Sequence, residues 1–357
     1  MGYERQNIAA MHGYVPGKQP TSAGVTKLNT NENPYPPCQA VLDALAQVTP
    51  EALRRYPPPA ADGFRDAAAE LHGLSREHVV AVNGGDELLR LALTTFVDPG
   101  RPIGVLEPSY SLYPVLAAIH GSPVVSVDAA TDWAPPADLA RRMNDAGVPL
   151  TLLVNPHAPS GRLLGAKDVS AIAGELDGVL LLDEAYVDFV DPGLEHDAVT
   201  LVREHDNLLI LRTLSKGYSL AGLRFGYGLG DPSLIDPLLW KTRDSYNVDA
   251  VAQRLATAAL HAREQAAESW ARVRAERARV SAGLGERGFV VHPSQSNFVL
   301  ADVPPGSDAG ALHEGLEREG VLVRYFDAPR LDASLRITIG TPAENDRLFA
   351  ALDRLLP

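Results

Sequence analysis

Between about residues 75 and 230, short apolar runs alternate with longer stretches in which apolar positions recur with a helical period. The runs, rich in Val, Ile and Leu and bounded by turn residues, read as buried strands. Seven are predicted: His78–Val82, Ile103–Glu107, Val124–Val127, Leu150–Val154, Val179–Asp183, Leu208–Arg212 and Phe225–Leu229. Helices fall between them, for example at Asp86–Phe96, Tyr110–Ala118 and Ala166–Ala173. Alternation of this kind predicts βα units, hence an α/β fold with a seven-stranded, mostly parallel sheet between helices.

Beyond this region the pattern changes. Residues 252–288 are rich in Ala, Arg and Glu and predict long helical segments that stop near Gly285 and Gly288. Shorter strands follow at Phe289–Val291, Asn297–Leu300, Val321–Arg324 and Leu335–Ile339, with helical patterns over 308–319 and 343–355, as expected of a smaller α+β domain. The first 40 residues have no strong period, are rich in Gly, Pro and Asn, and predict an extended arm. The expected division is an arm over 1–40 that belongs with the small domain, a large domain over 41–250, and a small C-terminal domain over 251–357. A chain of 357 residues has the length of two or three domains.

Composition narrows the function classes. Apolar residues make up 45% and charged residues 22% of the chain, the balance of an ordinary globular protein. No apolar run approaches the ~20 residues of a transmembrane helix. The start, Met1–Gln6, lacks the basic and apolar segments of an export signal, so a cytoplasmic protein with no membrane partner is expected. Cys38 is the only cysteine, which excludes an intrachain disulfide and a cysteine metal cluster; no metal is expected. A net charge of −13 argues against nucleic acid as a partner, because a phosphate backbone needs a basic surface to displace its counterions. It leaves room for a local arginine cluster around a small anion.

Candidate chemistry gathers at predicted strand ends. Lys216 follows the apolar run Leu208–Leu211 in Thr213-Leu214-Ser215-Lys216, with Arg224 just beyond. Two hydroxyls and a guanidinium suit a phosphate, and a partly desolvated lysine beside other cations becomes nucleophilic, which together suggest a Schiff-base cofactor. The strand Val179–Leu182 ends in Asp183, where a carboxylate facing a crevice needs a cation; the protonated ring nitrogen of pyridoxal phosphate is one. Tyr186 lies three residues on, within reach of the ring's phenolic oxygen. Gly84-Gly85-Asp86 follows another strand and opens a helix, a candidate phosphate cup. Tyr110 stands next to a strand end, where it could stack on a flat heterocycle. Each part alone has a plainer reading: a solvated lysine, an N-capping aspartate, a strand–helix turn, a core tyrosine.

Their order along the chain resembles that of the fold-type I pyridoxal-phosphate aminotransferases, and among them the histidinol-phosphate aminotransferases. The resemblance covers nearly the whole chain. It rests on Gly13–Gly17, Leu28–Pro36, Arg55-Tyr56-Pro57, Leu182–Tyr186, Thr213–Lys216 through Arg224, Arg243–Asn247 and Leu335–Thr338. It implies that Lys216 carries the cofactor and moves a proton, that Asp183 pairs with the ring nitrogen, and that Tyr186 meets the phenolic oxygen while Tyr110 stacks on the ring. Gly84, Gly85, Asp86, Thr213, Ser215 and Arg224 would hold the phosphate, with Tyr56 arriving from the second subunit of a homodimer. Tyr14, Asn31, Arg324 and Arg336 would bind substrate, implied to be glutamate and a phosphorylated imidazole amino alcohol of L-histidine biosynthesis.

One turn departs from the family pattern. Where many aminotransferases read Asn-Pro-x-Asn-Pro-Thr/Ser-Gly, this chain has Asn155-Pro156-His157-Ala158-Pro159-Ser160-Gly161, so the second asparagine is lost and Asn155 is left as the candidate contact. Other activities share the cofactor residues: an aromatic amino acid aminotransferase and a phosphoamino-acid decarboxylase. A non-catalytic cofactor-binding regulator would need a basic DNA-binding segment, and the arm is too short and insufficiently basic to be one.

Overall fold

The computed structural model describes residues 2–20 and 24–356, so Met1, residues 21–23 of the predicted arm and Pro357 lie outside the described residues. Seven strands form one sheet in the order Val79–Val82, Gly226–Gly230, Leu208–Thr213, Val179–Asp183, Leu150–Val154, Ile103–Glu107, Val124–Asp128. All run parallel except Gly226–Gly230, which is antiparallel to both of its neighbours. Every residue of Val79–Val82, Leu150–Val154 and Gly226–Gly230 is buried, as a sheet covered on both faces requires. Val124–Asp128 lies at an edge, and only its Val127 is buried.

Two boundaries bear on function. The strand Leu208–Thr213 runs one residue further than predicted, which brings Thr213 to the very end of the sheet. The helix Leu112–His120 starts two residues later than its pattern suggests, so Tyr110 and Ser111 stay in the preceding turn.

Residues Val290–Val291, Phe298–Asp302, Arg324–Tyr325 and Ser334–Thr338 make a separate four-stranded antiparallel sheet. The single strand expected over Val321–Arg324 is broken at Val323. Its first half, Val321–Leu322, pairs in parallel with Thr26–Lys27, while Arg324–Tyr325 joins the larger sheet. The arm is therefore not simply extended: it adds a strand to the C-terminal region. Near its start a helical turn, Gln6–Ala9, rests on Leu112–His120, where Arg5 and Asn7 donate to the carbonyls of Ile119 and Ala118, both at 2.8 Å.

The predicted connector divides at Ala262 into helices Ala250–His261 and Arg263–Glu286. The second reaches from the loops of the large domain to the C-terminal sheet. Trp270 Nε1 donates to the Gly217 carbonyl (2.6 Å), and the buried Arg277 donates to the carbonyls of Phe189 and Ser296, both at 2.9 Å. One helix thus ties the loop bearing Lys216 to the C-terminal sheet.

Candidate active site

A cleft opens at the carboxyl ends of Val179–Asp183 and Leu208–Thr213, closed across the top by residues 29–31 of the arm and by Arg324 and Arg336 of the small sheet. Ligand crevices of open α/β sheets lie at such strand ends. The loop 214–225 exists because the next strand returns antiparallel, and it carries Ser215, Lys216 and Arg224 together.

Lys216 is half-buried, and its Nζ donates to the Thr30 carbonyl at 3.2 Å. Burial pulls its pKa down to about 8; Arg336 and Arg224 push the same way, while Glu32 and Asp86 oppose them. Asp183 is buried more completely. Its Oδ2 accepts from Tyr113 Oη (3.0 Å) and its Oδ1 from the Ala185 N–H (3.1 Å). Burial still lifts its carboxyl to about 6, because no cation pairs with it among the described residues. The next residue, Glu184, turns to the opposite side, where Arg212 and His196 hold it (2.6 and 2.9 Å). Burial alone would raise Glu184; Arg212 and His196 together outweigh it and keep the carboxylate below its ordinary range.

The phosphate cup is built by close approach. Gly84 has φ +79°, and a Cβ there would meet Arg224 Nη2 at 2.7 Å; the guanidinium lies directly over the glycine. A Cβ on Gly226 would come within 3.0 Å of the Gly84 and Gly85 backbone, so that position keeps the cup and the sheet in contact. The helix Gly85–Phe96 begins here, and the N–H groups of its first turn have no intrahelical acceptor. Arg224 itself sits at φ +59°, a conformation few residues adopt, with Nη2 3.4 Å from Asp86 Oδ2. Thr213 and Ser215 are joined hydroxyl to hydroxyl at 3.0 Å beside it. Tyr110 lines the same cleft, its ring edge-on to Tyr14 and Tyr113 at centroid distances of 6.0 and 5.6 Å.

At the other end, Arg336 is a half-buried cation with no carboxylate partner among the described residues. Nη2 donates to the Asn29 carbonyl (3.0 Å), and Nε has no acceptor at all. Burial pulls its pKa below the ordinary value, with Arg324 adding to the effect. The guanidinium lies 5.3 Å from the centre of Phe298 and 5.4 Å from that of Phe326, and Arg324 lies 5.0 Å from Phe326 as well. An orphaned, desolvated arginine facing a cleft is arranged for an anionic ligand.

Most of the residues expected from sequence come together here: Tyr14, Asn31, Gly85, Asp86, Tyr110, Asp183, Tyr186, Thr213, Ser215, Lys216, Arg224, Arg324 and Arg336 all line the cleft, with Gly84 behind its cup. Asn155 and Asn31 make contacts other than those expected, and Tyr56 stands apart from the cleft. Asn155 does not line the cleft: its amide is bound at both ends to the Leu164 backbone (2.7 and 3.0 Å), which shapes the turn, and Ala158 and Pro159 form the wall instead. Asn31 donates Nδ2 to Tyr186 Oη (3.0 Å) and accepts at Oδ1 from Thr338 Oγ1 (3.0 Å), so both ends of its amide are engaged by protein groups. Tyr56 lies outside the cleft of its own chain, 80% exposed and stacked on Tyr246 at 4.4 Å. Sequence reasoning passed over Tyr113, whose apolar helix face reads as core, and the carbonyls of Asn29 and Thr30, which have no side-chain signature.

The residues fit pyridoxal phosphate in each of its parts. The cup and Arg224 suit its phosphate, the unpaired Asp183 carboxylate suits a cationic ring nitrogen, Tyr186 can donate to a ring oxygen, and the depressed amine of Lys216 suits an aldehyde.

Comparison with known proteins agrees. The family model for class I and II aminotransferases matches residues 23–352. The chain is 42% identical over 356 residues to histidinol-phosphate aminotransferase 1 of Nostoc sp., covering 99% of this chain and 98% of that one. The crystal structure of histidinol-phosphate aminotransferase from Sinorhizobium meliloti in complex with pyridoxal-5'-phosphate superposes with a TM-score of 0.90 at 26% identity, covering 100% of this chain and 98% of that chain. L-threonine-O-3-phosphate decarboxylase from Porphyromonas gingivalis shares the fold, with a TM-score of 0.79 at 21% identity over 93% of this chain and 99% of that chain. A match that runs almost from end to end, on a cleft built for the same group, makes this chain a member of the class I and II aminotransferase family.

Proposed function

We propose that the chain transfers the amino group of glutamate to imidazole-acetol phosphate, yielding histidinol phosphate and 2-oxoglutarate, with pyridoxal phosphate as cofactor, in L-histidine biosynthesis in the cytoplasm. The observation that carries the substrate assignment is the pair Arg324 and Arg336, placed on one aromatic ring at the end of the cleft away from the phosphate cup. Two anion sites in one cleft suit a cofactor phosphate at one end and a substrate anion at the other. Two arginines suit a dianionic phosphate better than a lone carboxylate.

When bound, the cofactor supplies an electron sink that makes the substrate α-carbon acidic. The N–H groups of Gly85 and Asp86, the hydroxyls of Thr213 and Ser215, and Arg224 would hold its phosphate. Asp183 would keep the ring nitrogen protonated, and Tyr110 would lie against the ring. Lys216 Nζ, with a pKa near neutrality, can take a proton from the substrate α-carbon and return it. Arg336 would orient the carboxylate of glutamate and, in the second half of the cycle, share the substrate phosphate with Arg324 and Tyr14.

A homodimer belongs to this reading. Tyr56 is presented outward together with the exposed Leu53, Trp240 and Tyr246, an apolar group that a second copy would cover while Tyr56 reaches the partner's cup. Sedimentation at micromolar concentration should give twice the chain mass.

An aromatic aminotransferase would use the same cofactor groups, and a phosphothreonine decarboxylase shares the fold. Turnover with imidazole-acetol phosphate, phenylpyruvate and threonine phosphate separates the three. The expected result is a clear preference for the first; a preference for phenylpyruvate, or release of carbon dioxide from threonine phosphate, would reject the assignment.

A further inference from the structure

Three consecutive residues of the arm each hold one working side chain. The Asn29 carbonyl accepts from Arg336 (3.0 Å), the Thr30 carbonyl accepts from Lys216 (3.2 Å), and Asn31 Nδ2 donates to Tyr186 Oη (3.0 Å). The first two contacts are made by main chain, which any residue type would supply. The third depends on one side chain.

That side chain is fixed from several directions. Thr338 Oγ1 accepts the Asn31 N–H and donates to Asn31 Oδ1, both at 3.0 Å, and the Asn31 carbonyl accepts from Asn297 Nδ2 at 2.9 Å. With Oδ1 on Thr338, Nδ2 is turned to Tyr186. Its φ of +56° lies in the left-handed region, which asparagine tolerates better than most residues. A phenol oxygen that accepts from an amide must direct its own O–H elsewhere. Nothing among the described residues accepts that proton, and Tyr186 lines the cleft, so the proton is aimed into the cleft. On the opposite wall Ala158 offers no hydrogen bond, and Asn155 is engaged by Leu164.

We propose that Asn31 is a positioning residue for Tyr186: it fixes the phenol as a donor to the cofactor's ring oxygen, and so sets the acidity of the lysine-linked cofactor without the second asparagine that Ala158 replaces. This rests on the cofactor being linked through Lys216. A donor at the ring oxygen favours the form in which the linking nitrogen has lost its proton, because the oxygen's negative charge is then least neutralised. Weakening the donor raises the pH at which that proton leaves.

The test is a pH titration of the visible absorbance of the pyridoxal-phosphate-loaded protein. Asn31→Asp keeps the size, the backbone conformation and the bond to Thr338, but turns an acceptor toward Tyr186; the midpoint should rise by about one pH unit, the worth of one hydrogen bond. Asn31→Gly keeps the backbone and removes the amide, and should move the midpoint the same way if the new carboxylate disturbs folding. In a Tyr186→Phe background neither substitution should add to the shift, since Asn31 acts through the phenol. A folded Asn31 variant with the wild-type midpoint, or an equal shift in the Tyr186→Phe background, overturns the inference. A wild-type protein that gains no visible absorbance with pyridoxal phosphate overturns the functional reading itself, and the inference with it.

Discussion

Tyr113 donates its hydroxyl to Asp183 Oδ2 at 3.0 Å, and both residues are buried. The bond favours the ionised carboxylate, so it works against the burial that lifts Asp183 to about 6. Tyr113→Phe leaves the ring packing intact and removes only the donor, and the carboxyl then rises further. A hydrogen bond to a charged group is worth roughly 1.5–3 kcal/mol, and the Ala185 N–H still supports Asp183, so kcat should fall about ten-fold. The acidic limb of the kcat/KM profile should move to higher pH. An unchanged profile would show that Asp183 is set by its other contacts alone.

Asp183 should also cost the cofactor-free chain stability. Its folded pKa, about 6, lies above the ordinary 3.8, so the favourable contribution of the protonated form is complete below the ordinary value and lost as pH rises through about 6. At pH 8 the chain holds an unpaired buried anion, a penalty on the order of 2–3 kcal/mol. Asp183→Asn removes it. The cofactor-free variant should melt about 2–4 °C above wild type at pH 8, with the difference gone near pH 4, while transamination falls at least about 100-fold. A variant less stable at pH 8 would mean that the lost Ala185 contact outweighs the charge.

How much of this was legible in the sequence depends on the kind of signal. Leu150–Val154, with Thr151 its one polar residue, and Val179–Leu182 announce themselves as apolar runs because both faces of their sheet are covered, and Asp183 and Lys216 are conspicuous as charges just after such runs. The break at Val323 is not written in any period, since it follows from Val321–Leu322 finding a partner at Thr26–Lys27, almost the full chain length away. Asn155 could be recognised as a turn residue, but not that its amide is spent on Leu164. Tyr113 reads as core because it is core; only its hydroxyl is functional. The carbonyls of Asn29 and Thr30 carry no residue identity, so their grip on Arg336 and Lys216 exists only in three dimensions.

Lys216 makes the capture of pyridoxal phosphate pH-dependent in a shifted window. Burial, then Arg336, depresses its pKa from 10.5 to about 8. The neutral amine is therefore available from about pH 8, and the stability that accompanies it is lost as pH falls through about 8. The rate at which cofactor-free protein gains visible absorbance should climb through pH 8 and then level off. A rate that keeps rising toward pH 10.5 would mean a solvated lysine.

Arg336 supplies the sharpest test of substrate recognition. Its Nε is buried and unpaired, so Arg336→Gln removes a cation that the empty protein gains little from keeping. The melting temperature should hold or rise. Losing a buried partner of a bound anion costs about 2–5 kcal/mol, so KM should increase about 100-fold for both glutamate and the phosphorylated substrate. Arg324 reaches the same Phe326 ring from a neighbouring strand. Arg324→Gln should raise KM for the phosphorylated substrate by about ten-fold and leave glutamate nearly unchanged, because a dianion uses both arginines and a carboxylate needs one. Equal losses for both substrates in the Arg324 variant would assign that arginine to the carboxylate as well, and an Arg336 variant with normal glutamate KM would place the amino donor's carboxylate elsewhere.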